Sequence, residues 1–346
     1  MNETPIDLPD LALAARPPGE GDVAGITGMC RRSDHAELGR TDTDEDDVVA
    51  VWRWPDFDPA SDALVVTAGA GEAVGYAWVH RGREGGVTVD PAWRGRGIGR
   101  ALLAWAVERA TAQAADQAAA GAAPAGAFEL YALSGNAVAA RLLQAAGFER
   151  TRVELLLRID LVPPVPRPAW PAGIRLRPFQ VERDGRALHG LLNEAFADLD
   201  GETARSFEEW AQFTLRRSVF DPTLVLLAEA ERDATVAGAA LGFDFDGEGY
   251  VQYLAVARPW RRRGLGLALL RHSFAVFAER GITRVELTAD ADNSTGATRL
   301  YQRAGMREVL RWDRWGRRHE VPWRSPASQT PTPQPVFRAA SAARRR

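Results

Sequence analysis

The sequence predicts an α/β protein made of two tandem domains of the same fold, each a mixed, mostly antiparallel sheet flanked by helices. Three observations lead to this prediction. The 346 residues, 46 % of them hydrophobic, exceed one ordinary domain and suffice for two cores. A proline-rich stretch divides the chain near its middle, and the two halves repeat the same glycine-containing pattern.

The dividing stretch cannot form a helix or an inner strand. Residues 161–172 contain five prolines, which lack a backbone donor and fix the torsion φ. We therefore predict an N-terminal domain over 1–160, a linker over 161–172 and a C-terminal domain over 173–324. Residues 325–346 are rich in Ser, Pro, Ala and Thr and end in three arginines, a composition typical of a disordered tail.

Two blocks of sequence recur in both halves. A Trp-Arg pair, two glycines and Ala-Leu-Leu begin at Trp93 and again at Trp260, an offset of 167 residues. A second block runs over 136–148 and again over 293–306, with closing glycines 158 residues apart. An Ala/Gly-rich stretch over 112–127 explains the difference, and we expect it to extend a helix and a loop in the first copy.

Both halves predict the same order of elements, which is clearest in the second. Apolar residues at helical spacing predict a helix over 264–280, which Gly281 ends, and the turn 231–233 predicts a hairpin. The predicted strands cover 174–178, 223–230, 236–245, 250–256, 284–288 and 306–312, and the remaining helices cover 184–197 and 294–304.

The turn before the helix that begins at Gly264 has the chemistry of a phosphate site. Unpaired N–H groups at a helix start attract anions, and the glycines allow close approach. Arginines at 261–263 add charge and bidentate hydrogen bonds. The pattern is neither a Walker loop nor a complete dinucleotide fingerprint. Taken alone it fits ordinary turn chemistry equally well.

The whole pattern resembles the GNAT superfamily of acetyl-CoA-dependent N-acetyltransferases. The resemblance rests on Arg261-x-x-Gly264-x-Gly266 after a strand, and on Asn293-x-x-x-Ala-x-x-Leu-Tyr301 followed by Gly305. It covers both halves and implies two tandem GNAT folds with acetyl-CoA as co-substrate. The tandem arrangement is similar to that of the mycothiol synthases, a two-domain branch of the superfamily.

The resemblance also implies which residues hold the cofactor. The pantetheine arm would follow the strand that ends at Val256, and a backbone N–H near Leu254 would face the thioester oxygen. Asn293 would touch the cofactor, although a plain helix cap is an equally good interpretation. The implied cofactor-binding residues are Leu254, Ala255, Val256, Arg261, Arg262, Arg263, Gly264, Leu265, Gly266 and Asn293, and in the first copy Val87, Thr88, Val89, Arg94, Gly95, Arg96, Gly97, Ile98 and Gly99.

Tyr301 is the predicted catalytic acid. The resemblance implies direct attack of an amine on the thioester, with Tyr301 donating a proton to the leaving thiolate. Packing on an amphipathic helix is the alternative role for this ring. The first copy has Leu143 at the same distance from its closing glycine, so we expect that copy to bind acetyl-CoA without catalysis, or to bind nothing.

The general base is predicted from an acidic cluster of Asp244, Asp246 and Glu248 before the strand 250–256. Glu248 is the preferred residue, although Tyr250 stands where some relatives carry a catalytic glutamate. Together with Asp198, Asp200 and Glu202, this cluster favours a cationic amine as acceptor, either a small molecule or a peptide.

Several functional classes are disfavoured by composition. No apolar run is long enough for a membrane span, and the N-terminus is acidic, so we expect a cytoplasmic protein. The single cysteine, Cys30, excludes an intrachain disulfide and a thiolate metal cluster. A net charge of −3 argues against nucleic acid, except through the arginine tail. A non-catalytic acetyl-CoA sensor is the remaining alternative.

Overall fold

The computed structural model describes residues 13–319, except 42, 122–125, 198–205, 218, 246 and 292–295. The predicted tail and Asn293 lie outside the described residues. The chain divides into two units. Among the described residues, the first comprises 13–153 and 312–319, and the second comprises 154–311.

The first unit contains a six-stranded sheet with helices. Its helices are α1 Val23–Leu38, α2 Glu45–Trp52, α3 Pro59–Asp62, α4 Ile98–Ala119 and α5 Ala137–Ala145. Its strands are β1 Leu13–Arg16, β2 Ala63–Ala68, β3 Glu72–His80, β4 Glu84–Val89 and β5 Ala127–Leu133, joined by the end of β12, Arg307–Arg318. The order is β1-β2-β3-β4-β5-β12, and only β4 and β5 run parallel.

The second unit repeats this plan. Its helices are α6 Val181–Phe196, α7 Phe207–Phe213, α8 Leu265–Glu279 and α9 Ala297–Arg303. Its strands are β7 Ile174–Pro178, β8 Val225–Ala230, β9 Val236–Phe245, β10 Glu248–Val256 and β11 Arg284–Asp290, joined by the end of β6, Glu149–Asp160. The order is β6-β11-β10-β9-β8-β7, with β10 and β11 parallel.

Each unit takes its last strand from the other half of the sequence. Leu133 on β5 pairs with Trp312 on β12, and Asp290 on β11 pairs with Glu154 on β6. The sequence places residues 154–160 in the N-terminal domain and 312–318 in the C-terminal one, whereas the compact units place them the other way round. The sequence-based boundaries stay a prediction about the duplicated copies.

Helix α8 forms where the sequence predicts it. Gly264 adopts the left-handed conformation that begins the helix, and Gly281, at φ +80°, follows its end. Leu265 and Leu269 pack against β8 and β9 on one face of the sheet. On the other face, Leu188, Leu192 and Trp210 from α6 and α7 cover the same strands.

The predicted elements of the second half are present with shifted ends. The hairpin is β8 and β9, and the Ala-rich stretch of the first half extends α4 to 22 residues, against 15 in α8. Helix α7 is not among the predicted elements. Within the described part of the chain, no helix combines the length and apolarity of a membrane span, and no cluster of acidic, His or Cys side chains could hold a metal ion.

Candidate functional site

The candidate site of the second unit is the gap between two parallel strands. Strands β10 and β11 pair from Glu248 and Arg284 up to Tyr250 and Glu286. Beyond Tyr250, β10 continues to Val256 beside β9 alone. The backbone groups of β10 on the β11 side therefore lack strand partners and can accept an extended ligand as an added strand.

The Leu254 N–H points into this gap. The Ala257 N–H donates to the Ala237 carbonyl on β9 at 2.9 Å, and bonding alternates along an antiparallel pair. Tyr253 and Ala255 therefore face β9 with their backbone groups, whereas Leu254 and Val256 face the opening. The Ala255 side chain is buried in the core and its backbone groups face β9, so Ala255, unlike Leu254 and Val256, offers neither to a ligand in the gap.

The loop 261–266 lies at the open end of the gap, and a hydrogen bond ties it to the end of β10. The Arg261 Nε donates to the Val256 carbonyl at 3.2 Å. A Cβ added to Gly264 would meet nothing within 4 Å, so there is open space in front of the first turn of α8. The first N–H groups of this helix face that space without helical partners, an arrangement that fits a pyrophosphate.

Gly266 has a different role from the one predicted for it. A Cβ there would lie 3.0 Å from Leu300 Cδ1, inside the protein. This glycine therefore allows α8 to pack against α9, and its side-chain position does not face a ligand. Leu265 is likewise a core residue.

Two arginines of the loop lack an acidic partner among the described residues. Arg262 adopts φ +60°, a conformation that favours glycine, and Arg263 lies over the Trp260 ring at 5.1 Å. Neither side chain forms an ion pair in the described part of the chain, so both charges are available to an anion.

Tyr301 lies on α9 beside the gap. Burial raises the pKa of Tyr301 to about 12, and the neighbouring Tyr250 adds to the rise. The Tyr301 hydroxyl makes no hydrogen bond within the described residues, whereas the Tyr250 hydroxyl donates to Thr288 Oγ1 at 2.9 Å. At neutral pH Tyr301 is therefore protonated, and its hydroxyl can donate a hydrogen bond or a proton to a ligand.

Glu248 lies at the closed end of the strand pair. It begins β10, whereas the loop follows the end of β10 at Val256, which is about 26 Å further along an extended strand. Its Oε1 accepts a hydrogen bond from Arg284 Nη1 at 2.8 Å. Asp244 accepts from the Gly247 N–H. The other acidic residues of the predicted cluster, Asp198, Asp200, Glu202 and Asp246, lie outside the described residues.

A β-bulge and an unpaired side chain escaped the sequence analysis. The register between β10 and β9 shifts between Val251 and Tyr253, so Gln252 is the extra residue. Its Oε1 is buried and accepts no hydrogen bond from the residues that the structure describes. A glutamine in a strand gives no sequence signal for either property.

The first unit builds the same gap and loop. Pairing between β4 and β5 is confined to Glu84 and Glu129, and the Asp90 N–H donates to the Val74 carbonyl on β3. The backbone groups of Val87 and Val89 therefore face the gap, whereas those of Thr88 face β3. Gly97 begins α4 in the left-handed conformation, Ile98 is buried, Gly95 has φ +80°, and Arg96 lies over the Trp93 ring.

At this first loop, a carboxylate accepts hydrogen bonds from two polar side chains. Arg94 Nη2 donates to Glu37 Oε1 at 2.8 Å, while Arg94 Nε contacts the Val89 carbonyl at 3.3 Å. Asn136, the counterpart of Asn293, also donates to Glu37 Oε1, at 3.4 Å. Leu143, the counterpart of Tyr301, is buried between Phe128 and Phe148 in the core.

Both copies match protein-family models. The GNAT acetyltransferase family model matches residues 186–306, and a GNAT acetyltransferase domain model matches 59–150. A mycothiol acetyltransferase of Clavibacter michiganensis is 31 % identical over 327 residues, which cover 88 % of this chain and 95 % of that protein. One from Thermobispora bispora is 33 % identical over 256 residues, 70 % of this chain and 78 % of the relative.

Solved structures agree with this placement. A GCN5-related N-acetyltransferase from Sphaerobacter thermophilus has 32 % identity and a TM-score of 0.77, covering 90 % of this chain and 96 % of its own. A tandem GNAT protein from the clavulanic acid biosynthesis pathway, 21 % identical with a TM-score of 0.65, covers 90 % and 99 % and shares the fold. The chain belongs to the GNAT acetyltransferase family: it is a tandem-domain N-acetyltransferase whose acetyl donor is acetyl-CoA.

Proposed function

We propose that the second unit transfers the acetyl group of acetyl-CoA directly to the primary amine of a small molecule in a ternary complex. The observation that carries this proposal is the juxtaposition of the β10–β11 gap with the uncommitted hydroxyl of Tyr301. The donor supplies a thioester carbon that an amine can attack. No covalent acyl-enzyme is required, because no nucleophilic cysteine lies in either motif.

The loop 261–266 and the strand end at 254–256 would position the donor. The N–H groups at the start of α8 and the side chains of Arg262 and Arg263 supply hydrogen bonds and positive charge to a pyrophosphate. The backbone of Leu254 and Val256 supplies strand-like hydrogen bonds to an extended amide chain. Asn293 stays a predicted contact.

The Leu254 N–H would stabilise negative charge on the acetyl oxygen. A fixed backbone donor that points at a developing oxyanion needs no reorganisation during the reaction. Tyr301 would then give its proton to the departing thiolate, since its raised pKa keeps it protonated throughout the neutral range.

The mechanism also needs an acceptor for the proton of the attacking amine. Glu248 stays a prediction, and its ion pair with Arg284 and its place at the closed end of the strands count against it. The amine can instead lose its proton to water before attack, a route that needs no carboxylate at the open end.

A second candidate acceptor is the cysteinyl pseudo-disaccharide that mycothiol synthases acetylate. It is favoured by relatives named mycothiol acetyltransferases at 31–33 % identity, two of which align with most of this chain. The acceptor is an amine in this case too, so the proposed chemistry of the second unit is the same.

Free thiol release tests the proposal. The full chain is incubated with acetyl-CoA and a panel of amines that includes the cysteinyl pseudo-disaccharide, and thiol is measured against a control without enzyme. We expect amine-dependent release with at least one panel member. Binding of acetyl-CoA without release for any amine would contradict the proposal and favour the sensor alternative.

A further inference from the structure

A half-buried arginine in the second unit has no acidic partner among the residues that the structure describes. Arg217 lies in the segment after α7, and its guanidinium carbon is 5.2 Å from the centroid of the Phe243 ring and 5.5 Å from that of Phe245. Within the described residues, no carboxylate lies within ion-pair distance of this guanidinium. Burial lowers the pKa of Arg217, and Tyr253 partly offsets that change.

Other arginines of comparable burial in this unit are paired. Arg158 bonds Glu286 at 2.6 Å, and Arg177 bonds Asp184 at 2.7 Å. The adjacent Arg216 is exposed and bonds Glu208 at 2.7 Å. Removing a guanidinium from water without an anionic partner costs free energy, so Arg217, which has no acidic partner in the described part of the second unit, is suited to an anionic ligand.

The aromatic side chains next to Arg217 lead to the reaction site. The Phe245 ring lies 6.2 Å from that of Tyr250, and Tyr250 in turn adjoins Tyr301. Phe243 and Tyr253 belong to the core face covered by α6 and α7, opposite the face that holds α8. A ligand on this face would therefore reach the acetyl group from the side opposite α8.

We infer that the acceptor carries a carboxylate that pairs with Arg217, while its amine faces the thioester. This inference rests on the proposed function and narrows its substrate class to amino acids and similar carboxylate-bearing amines. A planar guanidinium binds a carboxylate through two parallel hydrogen bonds, which would orient the amine for attack.

Matched acceptor pairs test the inference. The full chain is assayed by thiol release with each L-amino acid and with the corresponding amino-acid amide. We expect the acid to be preferred in kcat/KM by about 10- to 100-fold, the range of one charge-assisted pair. Arg217→Met, which keeps the apolar stem, should lower kcat/KM for the acid by the same factor and leave the amide within about threefold. An equal acid-to-amide ratio in the wild type and the variant would overturn the inference.

Two further variants distinguish a bidentate site at Arg217 from a general effect of positive charge. Arg216→Met removes a neighbouring surface charge and should leave the acid-to-amide ratio unchanged. Arg217→Lys keeps the charge but loses the planar fork, so it should recover only part of the preference. Recovery by lysine to the full wild-type ratio would show a general charge effect and contradict a bidentate site.

A binding measurement keeps failure of the inference distinct from failure of the proposed function. N-acetyl amino acids, which keep the carboxylate, are titrated by calorimetry into the chain loaded with coenzyme A. We expect binding that Arg217→Met weakens at least tenfold, even if no panel member is turned over. No binding to the wild type, or equal binding to both proteins, would overturn the inference.

Discussion

The two units share a loop but differ in what surrounds it. In both, the first loop residue is an arginine that donates to a valine carbonyl, and the third loop residue is an arginine that lies over a tryptophan ring. Helices α1 and α6 each have 16 residues, and their fifteenth residue is Glu37 in the first unit and Ala195 in the second. Only the first unit therefore has a carboxylate from that helix position on its loop.

This difference shows that a cofactor motif can persist for structural reasons. Gly99 and Gly266 each lie between a leucine of the next helix and a valine of the preceding strand. Such packing would preserve the motif even where nothing binds. Whether a unit binds acetyl-CoA must therefore be judged from the charges next to its loop. Whether it catalyses transfer must be judged from the residue at the position of Tyr301, which is Leu143 in the first unit.

The largest expected effect concerns the hydroxyl that only the second unit has. Tyr301→Phe keeps the ring and should lower kcat about 10²-fold, with acetyl-CoA affinity nearly unchanged, because one general acid is lost. Steady-state kinetics and calorimetry measure the two quantities. Wild-type turnover in a folded variant, under conditions where chemistry limits the rate, would reduce Tyr301 to a packing residue.

The next effect compares the two helix starts. Gly264→Val places a branched side chain in the open space before α8 and should weaken acetyl-CoA binding about 10- to 100-fold. Gly97→Val is the matched control, since it imposes the same left-handed strain in the first unit. Calorimetry on the full chain should show loss of binding only for Gly264→Val. Equal affinity in both folded variants would remove the phosphate site.

The third prediction concerns removal of the carboxylate that binds the loop of the first unit. Glu37→Ala frees Arg94 and Asn136 and removes a negative charge from the expected phosphate position. We expect calorimetry to show one acetyl-CoA per chain for the wild type and a second, weaker site for this variant. Turnover should stay within about twofold, because Leu143 supplies no acid. An unchanged stoichiometry would mean that the first unit keeps the loop for packing alone.

The smallest effect concerns the second residue of the loop, which is Gly95 in one unit and Arg262 in the other. Both have positive φ, which costs a non-glycine residue about 1–2 kcal/mol. Arg262→Gly should therefore raise the free energy of unfolding by about 0.5 kcal/mol after the added entropy of the unfolded chain. Gly95→Arg should lower it by a similar amount. Denaturant unfolding checks both, and effects of the opposite sign would contradict the strain argument.

The sequence predicts the local structure well because periodicity and glycines act locally. The Gly264 turn, α8 and the hairpin β8–β9 follow from their own residues. It could not predict that β6 and β12 each complete the other half's sheet, because burial alternates in the same way whichever sheet a strand joins. It also misjudged Gly266, since the contact with Leu300 depends on how α8 and α9 pack. The pairing of Glu37 with Arg94 and the isolation of Arg217 depend on distant segments in the same way.

The exchanged strands have a consequence for any attempt to divide the gene. A cut in the proline-rich stretch gives two fragments, each of which lacks the final strand of its own sheet and carries that of the other. Trp312 pairs with Leu133 across 179 residues, so the first sheet stays incomplete until the residues of β12 have left the ribosome. We therefore expect separately expressed halves to expose a sheet edge and aggregate, and coexpressed halves to reassemble into an active protein.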